Sequence, residues 1–341
     1  MKQLTIGIIG NGKSTNRYQL PYILQRKEQY KVKTIFQRDL SKSDWARIDG
    51  IDYTDNLDIL LNDPEVEIVV LAISSNAHYE MAKKVLAAGK HCIVEKPFTE
   101  TIEQAKELYA IANEKNLIVQ CYQNRRFDSD LLTVQKVIES NVLGDIQEIE
   151  MSFDYFRPER SEQSTSFSKI NSFLYGHACH SLDQVISVFG KPDRVVYDVR
   201  QLLGEGRLND YFDIDLFYGN LKVSIKSSFF RLKPRPSYVV YGKKGMFIKE
   251  TKDKQEEHLK MFVWPNVVGF GVDNVKEYGT LTYIDNDKNY HEEKVVSEVG
   301  DYGRYYDALY NTIVNGVEKL VKDEETLWQL EILETGISGV K

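Results

Sequence analysis

A short apolar run that leads into a glycine-rich turn restricts the fold more than any other feature of the chain. The mostly apolar residues 4–9 are followed by the letters Gly-Asn-Gly-Lys-Ser-Thr at positions 10–15. Read from Gly10, these letters form the turn of a dinucleotide-binding fold in which a threonine replaces the third glycine. Read from Gly7, they also satisfy the phosphate-binding loop of nucleoside triphosphatases. The dinucleotide interpretation is favoured, because the other one would move two isoleucines out of the buried strand and into the loop.

The turn also predicts which part of a cofactor binds there. Gly10 and Gly12 allow a tight bend and a close approach of the backbone to a pyrophosphate group at the start of the next helix. Thr15 adds bulk where that helix should touch the strand, which weakens the motif taken alone. The residues of the turn that we predict to bind the cofactor are Gly10, Asn11, Gly12, Lys13, Ser14 and Thr15.

The end of the second predicted strand, residues 31–36, indicates which cofactor is preferred. In NAD-binding versions of this fold an acidic side chain near that strand end bonds the adenosine ribose, whereas an arginine accommodates the 2′-phosphate of NADP. Gln37 occupies the expected acidic position and Arg38 follows it. NADP is therefore favoured. If the strand ends later, Asp39 becomes the ribose ligand and NAD the cofactor.

Apolar runs and helical periodicity alternate along the first third of the chain. Further buried strands are predicted at residues 66–73, 92–94 and 117–122, with helices between them. This alternation is typical of a doubly wound parallel sheet. Residues 1–122 are therefore predicted to form a Rossmann domain that binds NAD(P).

Residues 123–341 show a different pattern and are predicted to form an α+β domain for substrate binding and oligomerisation. Consecutive runs in which apolar and polar residues alternate indicate a large, mainly antiparallel sheet. The runs cover residues 146–155, 194–201, 211–218, 221–230, 238–249 and 278–285. A closing helical segment is predicted at 302–314 and 324–333.

Two short stretches carry candidate catalytic residues. The strand at 92–94 is followed by Glu-Lys-Pro, which places Lys96 at a strand end, where ligands of open α/β sheets bind. A lysine there can be desolvated and acquire a useful pKa, although a lysine in a surface turn is the plain alternative. The stretch 175–183 adds His180 as a proton acceptor, for which the alternative is a histidine whose bonds are satisfied within its helix.

Taken in order, these motifs resemble the family of nicotinamide-dependent oxidoreductases that includes glucose-fructose oxidoreductase, inositol dehydrogenase and MocA (Gfo/Idh/MocA). The resemblance rests on the Gly10 turn and on residues 76–78, 87–97, 122–127, 180–183, 189–192 and 301–306. It spans nearly the whole chain and is greatest to a subgroup whose members are named only as oxidoreductases. It implies that the second sheet is open-faced, and an uncovered face of that size implies a homo-oligomer, a dimer or a tetramer.

The resemblance implies a role for each candidate catalytic residue. Lys96 matches the family lysine that sits by the nicotinamide and hydrogen-bonds the reacting oxygen. His180 matches the general base, and Asp183 matches a residue that orients it. Glu95 and Pro97 shape the strand end, where an unusual Lys96–Pro97 peptide geometry is expected. The implied reaction is reversible hydride transfer between NADP(H) and a CH–OH or C=O carbon of a small polar substrate, such as a sugar, a polyol or a derivative.

The resemblance also extends the predicted cofactor site beyond the turn. The additional cofactor-binding residues are Arg38, Ser74, Asn76, His78, Glu95, Lys96, Asn124 and Arg125. The chain departs from the family at Gly176, where an aspartate usually stands four residues before the histidine. The missing carboxylate argues against a sugar or inositol substrate. Gly176 and Thr15 leave open an alternative function, a non-catalytic dinucleotide-sensing regulator similar to the galactose-pathway repressor of this fold. The presence of both Lys96 and His180 argues against it.

Composition argues against several other classes of protein. A formal net charge of -7 is unfavourable for a nucleic-acid partner, because phosphate binding requires concentrated positive charge. The N-terminus lacks a signal-peptide pattern and no apolar run reaches membrane-spanning length, which predicts a cytoplasmic protein. Cys92, Cys121 and Cys179 lie far apart in apolar or helical patterns and are predicted to be reduced thiols.

Two clusters have more than one interpretation. His177, His180 and Asp183 can share a helix face and are ligand types that zinc accepts, but the local pattern offers no fourth partner, so no metal is predicted. Five cationic residues are interpreted either as an anion-accepting pocket or as solvated edges. They are Arg157, Arg160, Arg231, Lys233 and Arg235.

Overall fold

Six parallel strands form the first sheet. The structure, a computed structural model, describes residues 2–42, 45–159, 168–204 and 209–340. The strands are β1 (Leu4–Ile9), β2 (Tyr30–Phe36), β3 (Asp52–Thr54), β4 (Ile68–Leu71), β5 (His91–Val94) and β6 (Val119–Cys121). Their spatial order is β3-β2-β1-β4-β5-β6, so the order reverses between β1 and β4. Ligands of doubly wound sheets bind at this switch point, beyond the carboxyl ends of the strands.

Eight strands form the second sheet. They are β7 (Ile146–Ser152), β8 (Arg194–Arg200), β9 (Tyr211–Tyr218), β10 (Leu221–Ser228), β11 (Tyr238–Gly242), β12 (Gly245–Lys249), β13 (Gly279–Ile284) and β14 (Tyr290–Val295). Their order is β14-β13-β12-β11-β7-β10-β9-β8, with β7 and β10 paired in parallel and the other neighbours antiparallel. The predicted fold class, a Rossmann sheet followed by an α+β part with a mainly antiparallel sheet, is confirmed.

Helices connect and cover the strands. They are α1 (Leu20–Ile23), α2 (Leu57–Leu61), α3 (His78–Ala87), α4 (Ile102–Glu114), α5 (Ser129–Glu139), α6 (Cys179–Phe189), α7 (Gln255–Lys260), α8 (Arg304–Asn315) and α9 (Asp323–Ser338). A π-helical turn, Ser14–Gln19, precedes α1, and another, Leu174–Ala178, precedes α6. Both candidate regions of the sequence, the glycine turn and the histidine stretch, therefore lead into a helix through a wider turn.

One predicted strand is wrong. Residues 238–249 form two strands, β11 and β12, joined by a Gly-Lys-Lys-Gly turn. A Cβ added at Gly242 would lie 2.3 Å from the carbonyl oxygen of Leu143, and one at Gly245 would lie 2.1 Å from that of Thr282. The neighbouring backbone approaches too closely for any other residue, which explains why an apolar run is interrupted here. The short strands β3 and β14 and the helix α7 were not predicted.

The chain does not divide into its two compact units at a single position. The first unit comprises Met1–Asn124, His258–Val268 and Tyr302–Leu330, and the second comprises Arg125–Glu257, Gly269–Asp301 and Glu331–Lys341. The predicted second domain, 123–341, includes residues that lie in the first unit by this division. A boundary near residue 122 stays a prediction about the functional domains.

Tyrosines of α8 attach the late part of the chain to the parallel sheet of the first unit. The Tyr305 hydroxyl donates to the carbonyl oxygen of Cys121 at 3.0 Å, at the end of β6. The Tyr306 hydroxyl donates to the side-chain oxygen of Gln19, and the Tyr306 carbonyl accepts from the Tyr30 hydroxyl at 2.7 Å. Because buried hydroxyl groups must be hydrogen-bonded, these contacts fix α8 in position as well as burying apolar area.

A buried ion pair in the second unit supports a prediction about stability. The Lys249 ammonium lies 2.9 Å from the Asp273 carboxylate, and both side chains are fully buried. Replacing Lys249 with Met should lower the free energy of unfolding by about 3–5 kcal/mol, because it leaves a buried carboxylate without its counter-charge. Removing both charges, with Lys249→Met and Asp273→Leu together, should recover most of that loss.

Urea denaturation of the three variants measures the effect. The control is Lys243→Met, which breaks an exposed pair with Asp145 and should change the free energy of unfolding by less than about 1 kcal/mol. Equal losses in Lys243→Met and Lys249→Met would contradict the importance of burial.

Candidate active site

The turn after β1 has the shape that a dinucleotide site requires. Gly10 has a φ of +108°, and a Cβ added there would lie 2.2 Å from the carbonyl oxygen of Ala72, which follows β4. Gly7 lies within β1, in register with β2 and β4. The nucleoside-triphosphatase interpretation therefore fails, since it needs Gly7 in a loop. A Cβ added at Gly12 would meet nothing within 4 Å, so the backbone is open where a pyrophosphate would approach.

Thr15 fits the position where the motif normally has its third glycine. The side chain is fully buried, and its hydroxyl donates to the carbonyl oxygen of Gly10 at 2.7 Å. The threonine thus closes the turn with a side-chain bond, and its bulk is accommodated in the first helical turn. Lys13 is exposed beside it.

The three residues after β2, Gln37, Arg38 and Asp39, differ in the contacts of their side chains. The Gln37 amide accepts from Asn11 at 2.8 Å and donates to the carbonyl oxygen of Asp39 at 2.7 Å, so Gln37 ties the strand end to the glycine turn. The Asp39 carboxylate accepts from Ser41, and this hydrogen bond lowers its pKa. Arg38 is exposed and makes no ion pair with any residue that the structure describes.

Glu95 joins the end of β5 to the helical turn that follows the glycines. Its carboxylate is buried and accepts from the Ser14 hydroxyl, from the Gln19 amide at 2.6 Å and from the backbone N–H of Lys96 at 3.3 Å. The predicted cofactor residues Ser14 and Glu95 are therefore direct partners. Their bond fixes the start of the helix relative to the strand end that carries the candidate lysine.

The end of β4 presents two exposed polar side chains. The Ser74 hydroxyl donates to the side-chain oxygen of Asn76 at 2.8 Å. His78 behaves differently, because it is buried and its ring nitrogens lie 2.8 Å from the carbonyl oxygen of Pro97 and 3.3 Å from that of Ile73. Burial holds the pKa of His78 below its ordinary value. The histidine links the two loops as a neutral ring, and only Ser74 and Asn76 present side chains to solvent.

The predicted unusual peptide is a cis bond between Lys96 and Pro97. Lys96 is partly exposed at the end of β5 and, like Asn124 after β6, belongs to the first compact unit. His180, Asp183 and Arg125 belong to the second unit. The predicted catalytic lysine and histidine therefore come from different units.

The helix α6 carries His180, partly exposed in its first turn, and a buried ion pair one turn further on. The Asp183 carboxylate accepts two bonds from the Arg126 guanidinium, at 2.9 and 2.7 Å, with both side chains buried. Arg126 was not predicted as a site residue, although it lies within a motif that carries the resemblance. Whether Asp183 also orients His180 stays a prediction.

Arg125 lies beside this pair in an ion-pair network of its own. Its guanidinium contacts the carboxylates of Asp128, at 3.2 Å, and of Glu256. The Gln184 amide donates to the Arg125 carbonyl oxygen at 2.6 Å. These bonds give Arg125 a structural role within the second unit, and the predicted cofactor contact remains to be tested.

The histidine stretch contains a further ring and an open position. His177 packs against Tyr155 and Phe173, with ring centroids 5.1 and 4.4 Å apart, and its Nδ1 lies 3.2 Å from the Phe173 carbonyl oxygen. Among the described residues, no group of three or more His, Cys, Asp or Glu side chains could hold a metal ion. A Cβ added at Gly176 would meet nothing within 4 Å, so no close contact at the Cβ position requires a glycine there.

Four of the five cationic residues with two interpretations lie in the described part of the chain, and among these four Arg235 forms an ion pair. It makes bidentate bonds to Asp154 at 2.9 and 2.8 Å. Arg157, Arg231 and Lys233 are exposed, and Arg160 lies outside the described residues. Cys92, Cys121 and Cys179 are all buried and outside any disulfide. In the described part of the chain, no helix is long and apolar enough to cross a membrane.

The sheet order and the glycine turn define a dinucleotide-binding α/β protein, and comparison with known proteins gives its family. Residues 4–123 match the profile described as "Oxidoreductase family, NAD-binding Rossmann fold", and residues 135–338 match "Oxidoreductase family, C-terminal alpha/beta domain". The chain belongs to this Gfo/Idh/MocA family of nicotinamide-dependent oxidoreductases, as its motifs predict.

Relatives match along nearly the whole chain. "Uncharacterized oxidoreductase YhhX" of Escherichia coli is 46% identical over 334 residues, which is 98% of this chain and 96% of that protein. "scyllo-inositol 2-dehydrogenase (NADP(+)) IolW" of Bacillus subtilis is 31% identical over 346 residues, covering 99% and 94%. The crystal structure of an oxidoreductase from Bacillus cereus is 44% identical with a TM-score of 0.91, covering 99% of this chain and 96% of that one.

The two glycines of the turn should respond differently to alanine. Gly10→Ala should lower the free energy of unfolding by roughly 1–3 kcal/mol or more, because its φ is positive and the methyl group would meet the Ala72 carbonyl oxygen. Gly12→Ala should leave stability nearly unchanged but weaken NADPH binding, since the methyl group occupies space that only a ligand would need.

Urea denaturation and a fluorescence titration with NADPH measure the two effects on the same samples. Each variant is the control for the other. Wild-type NADPH affinity in Gly12→Ala would show that the cofactor does not approach the backbone at this turn.

Proposed function

We propose that this oxidoreductase favours NADP and transfers a hydride reversibly between nicotinamide and a CH–OH or C=O carbon of a small polar substrate. The observation that carries the proposal is the braced strand end, in which Glu95 fixes both the turn after β1 and the Lys96 backbone. The bound nicotinamide would supply the hydride acceptor or donor. The residues proposed to hold it are Gly10, Asn11, Gly12, Lys13, Ser14, Thr15, Arg38, Ser74, Asn76, His78, Glu95, Lys96, Asn124 and Arg125.

Two side chains would act on the substrate oxygen. The Lys96 ammonium would donate a hydrogen bond to that oxygen and stabilise negative charge as it develops. His180 would accept the hydroxyl proton during oxidation and return it during reduction, a task suited to an imidazole. Asp183, held by Arg126, would keep the first turns of α6 in place and orient the histidine.

The preference for NADP rests on Arg38. The side chain is exposed at the end of β2, while Gln37 is bonded to Asn11 and Asp39 to Ser41. An uncommitted guanidinium beside a neutral amide suits a 2′-phosphate better than two ribose hydroxyl groups. The name of the relative IolW, an NADP(+)-dependent dehydrogenase, is in line with this preference.

Self-association is part of the same proposal. Exposed apolar side chains lie on strands of the second sheet, among them Val196 on β8, Ile284 on β13 and Tyr290 on β14. Covering such side chains with a second copy of the chain would remove apolar area from water.

Replacing Arg38 with Ala should weaken NADPH binding roughly tenfold or more and leave NADH binding unchanged, because charge-assisted bonds to the phosphate are lost. Nicotinamide fluorescence and thermal shift with NADPH, NADH and ATP measure this. The control is Arg47→Ala, which removes an exposed arginine stacked on Tyr53. The preference for NADP would be contradicted if the protein bound NADH more tightly than NADPH and if Asp39→Ala weakened the binding of NADH.

Replacing His180 with Ala should lower kcat roughly 10²–10⁴-fold without changing NADPH affinity, since only proton transfer is lost. The assay follows NADPH formation with sugars and polyols, including scyllo-inositol. His291→Ala is the matched control, because that histidine lies on β14, pairs with Asp285 and has no proposed role in the reaction. An unchanged kcat would exclude His180 as the base. Cofactor binding without turnover of any alcohol or its keto form would favour the dinucleotide-sensing regulator.

A further inference from the structure

A short extension of β7 arranges cationic and aromatic side chains on one face of the second unit. The N–H of Arg157 donates to the Phe229 carbonyl oxygen at 2.8 Å, and the N–H of Arg231 donates to that of Tyr155 at 3.0 Å, around an antiparallel bridge. Side chains two apart on one strand, and directly opposite across the pair, share a face. The Arg157 guanidinium also lies 5.8 Å from the centre of the Phe229 ring, so Tyr155, Arg157 and Phe229 lie on the same face, and the bridge places the Arg231 backbone beside Tyr155.

A third cation reaches this face from another part of the chain. The Lys252 ammonium lies 5.4 Å from the centre of the Tyr155 ring and 3.4 Å from that of Phe153. The Arg157 guanidinium lies 4.4 Å from the same Tyr155 ring. Two cations thus share one tyrosine, and Arg231 stands opposite that tyrosine in the strand pair.

These three cations differ from their neighbours in how their charge is balanced. Arg125 and Arg235 are each bound by carboxylates, as described above. Within the described residues, Arg157, Arg231 and Lys252 form no ion pair. The nearest polar contact of Lys252 is the Asp154 carbonyl oxygen at 3.4 Å.

Water can balance the charge of only two of these three cations. Arg157 and Arg231 are exposed, so water can balance their charge. Lys252 is only partly exposed, and burial together with the nearby Arg125 lowers its pKa to about 8. The carboxylates of Asp154, Asp130 and Glu256 favour the charged form of Lys252 but form no ion pair with it, so an anionic ligand in direct contact would stabilise the half-buried ammonium further.

We propose that Lys252, Arg157 and Arg231 form an anion subsite around Tyr155, and that the substrate carries a carboxylate or a phosphate group there. The proposal rests on the proposed function for its link to the reaction. Tyr155 packs against the His177 ring, which lies in the turn that leads into the His180 helix. The subsite would hold the charged end of the substrate while His180 acts on its hydroxyl end, and guanidinium and ammonium groups bind both kinds of oxyanion.

Isothermal titration calorimetry with sodium sulfate at constant ionic strength tests the subsite without any turnover. The Arg38→Ala background removes the other candidate phosphate site. Lys252→Met and Arg157→Gln should each weaken sulfate binding roughly tenfold. Arg194→Gln is the control, because Arg194 is an exposed arginine 3.7 Å from the Phe217 ring on the same sheet, and it should have no effect. Sulfate affinity that is the same in all three variants, or absent in the parent, would overturn the proposal.

The pH dependence of sulfate binding separates a charged Lys252 from a merely structural one. Affinity should fall as pH rises through about 8, because the neutral amine no longer attracts the anion, and Lys252→Arg should abolish this fall. The other charged groups that face Lys252 are Arg125, Asp130, Asp154 and Glu256. Arginine and carboxylate side chains ordinarily do not titrate between pH 7 and 9. A flat profile in the wild type would contradict the proposal.

Turnover then distinguishes the sources of the anion. Glucose, gluconate and glucose 6-phosphate are compared with NADP at equal concentration on wild type and Lys252→Met. Selective loss of kcat/KM for gluconate or for the phosphate ester supports the subsite and identifies its ligand, whereas equal effects on neutral glucose oppose it. A further outcome is that sulfate binds as predicted while no substrate is turned over. That result would contradict the hydride-transfer function and would still support the anion subsite.

Discussion

The carboxylate of Glu95 is the contact on which the candidate active site depends. It is buried and accepts bonds from Ser14, Gln19 and the Lys96 backbone, so one side chain fixes the first helical turn and the strand end together. Gln19 passes the constraint to Tyr306 of α8. A buried carboxylate without these donors would be costly, and the donors would be equally costly without it. The position of Lys96 is thus set by a network that starts in the glycine turn and ends near the C-terminus.

The same network explains why parts of the site could be predicted from sequence and other parts could not. Three features could be predicted because they depend on neighbouring residues in the sequence. They are the Gly10 turn, the strand end at Lys96 and the change to an antiparallel sheet. The bonds of Glu95 to Ser14, and of Asp183 to Arg126, join residues far apart in the chain. Nothing in the local pattern marks which buried carboxylate meets which donor. The prediction of a single strand at residues 238–249 was wrong for a related reason. The turn between β11 and β12 depends on the neighbouring backbone of Leu143 and Thr282, which lie far from it in the sequence.

Whether a cation has a carboxylate partner in the protein is a better guide to its role than its residue type. Arg125 and Arg235 are candidate ligand-binding arginines in the sequence, yet each is paired with a carboxylate of the protein, as is Arg126. Lys252 drew no attention in the sequence, and this half-buried cation forms no ion pair with any residue that the structure describes. At Gly176 a negative charge is missing instead: the resemblance implies an aspartate at this position, and the space around its Cβ is open. Together they support the proposal that the substrate carries a negative charge.

The return of residues 302–330 to the first unit has a consequence for how the protein can be made and divided. Tyr305 and Tyr306 supply hydroxyl groups to Cys121 and Gln19 and ring surface to Tyr122. During synthesis these contacts can form only after residues 305 and 306 have been added, and they raise the mean sequence separation of the contacts in the first unit. The segment 4–123 that matches the family profile therefore does not include the whole first unit, and a fragment that ends there would expose the groups that α8 covers.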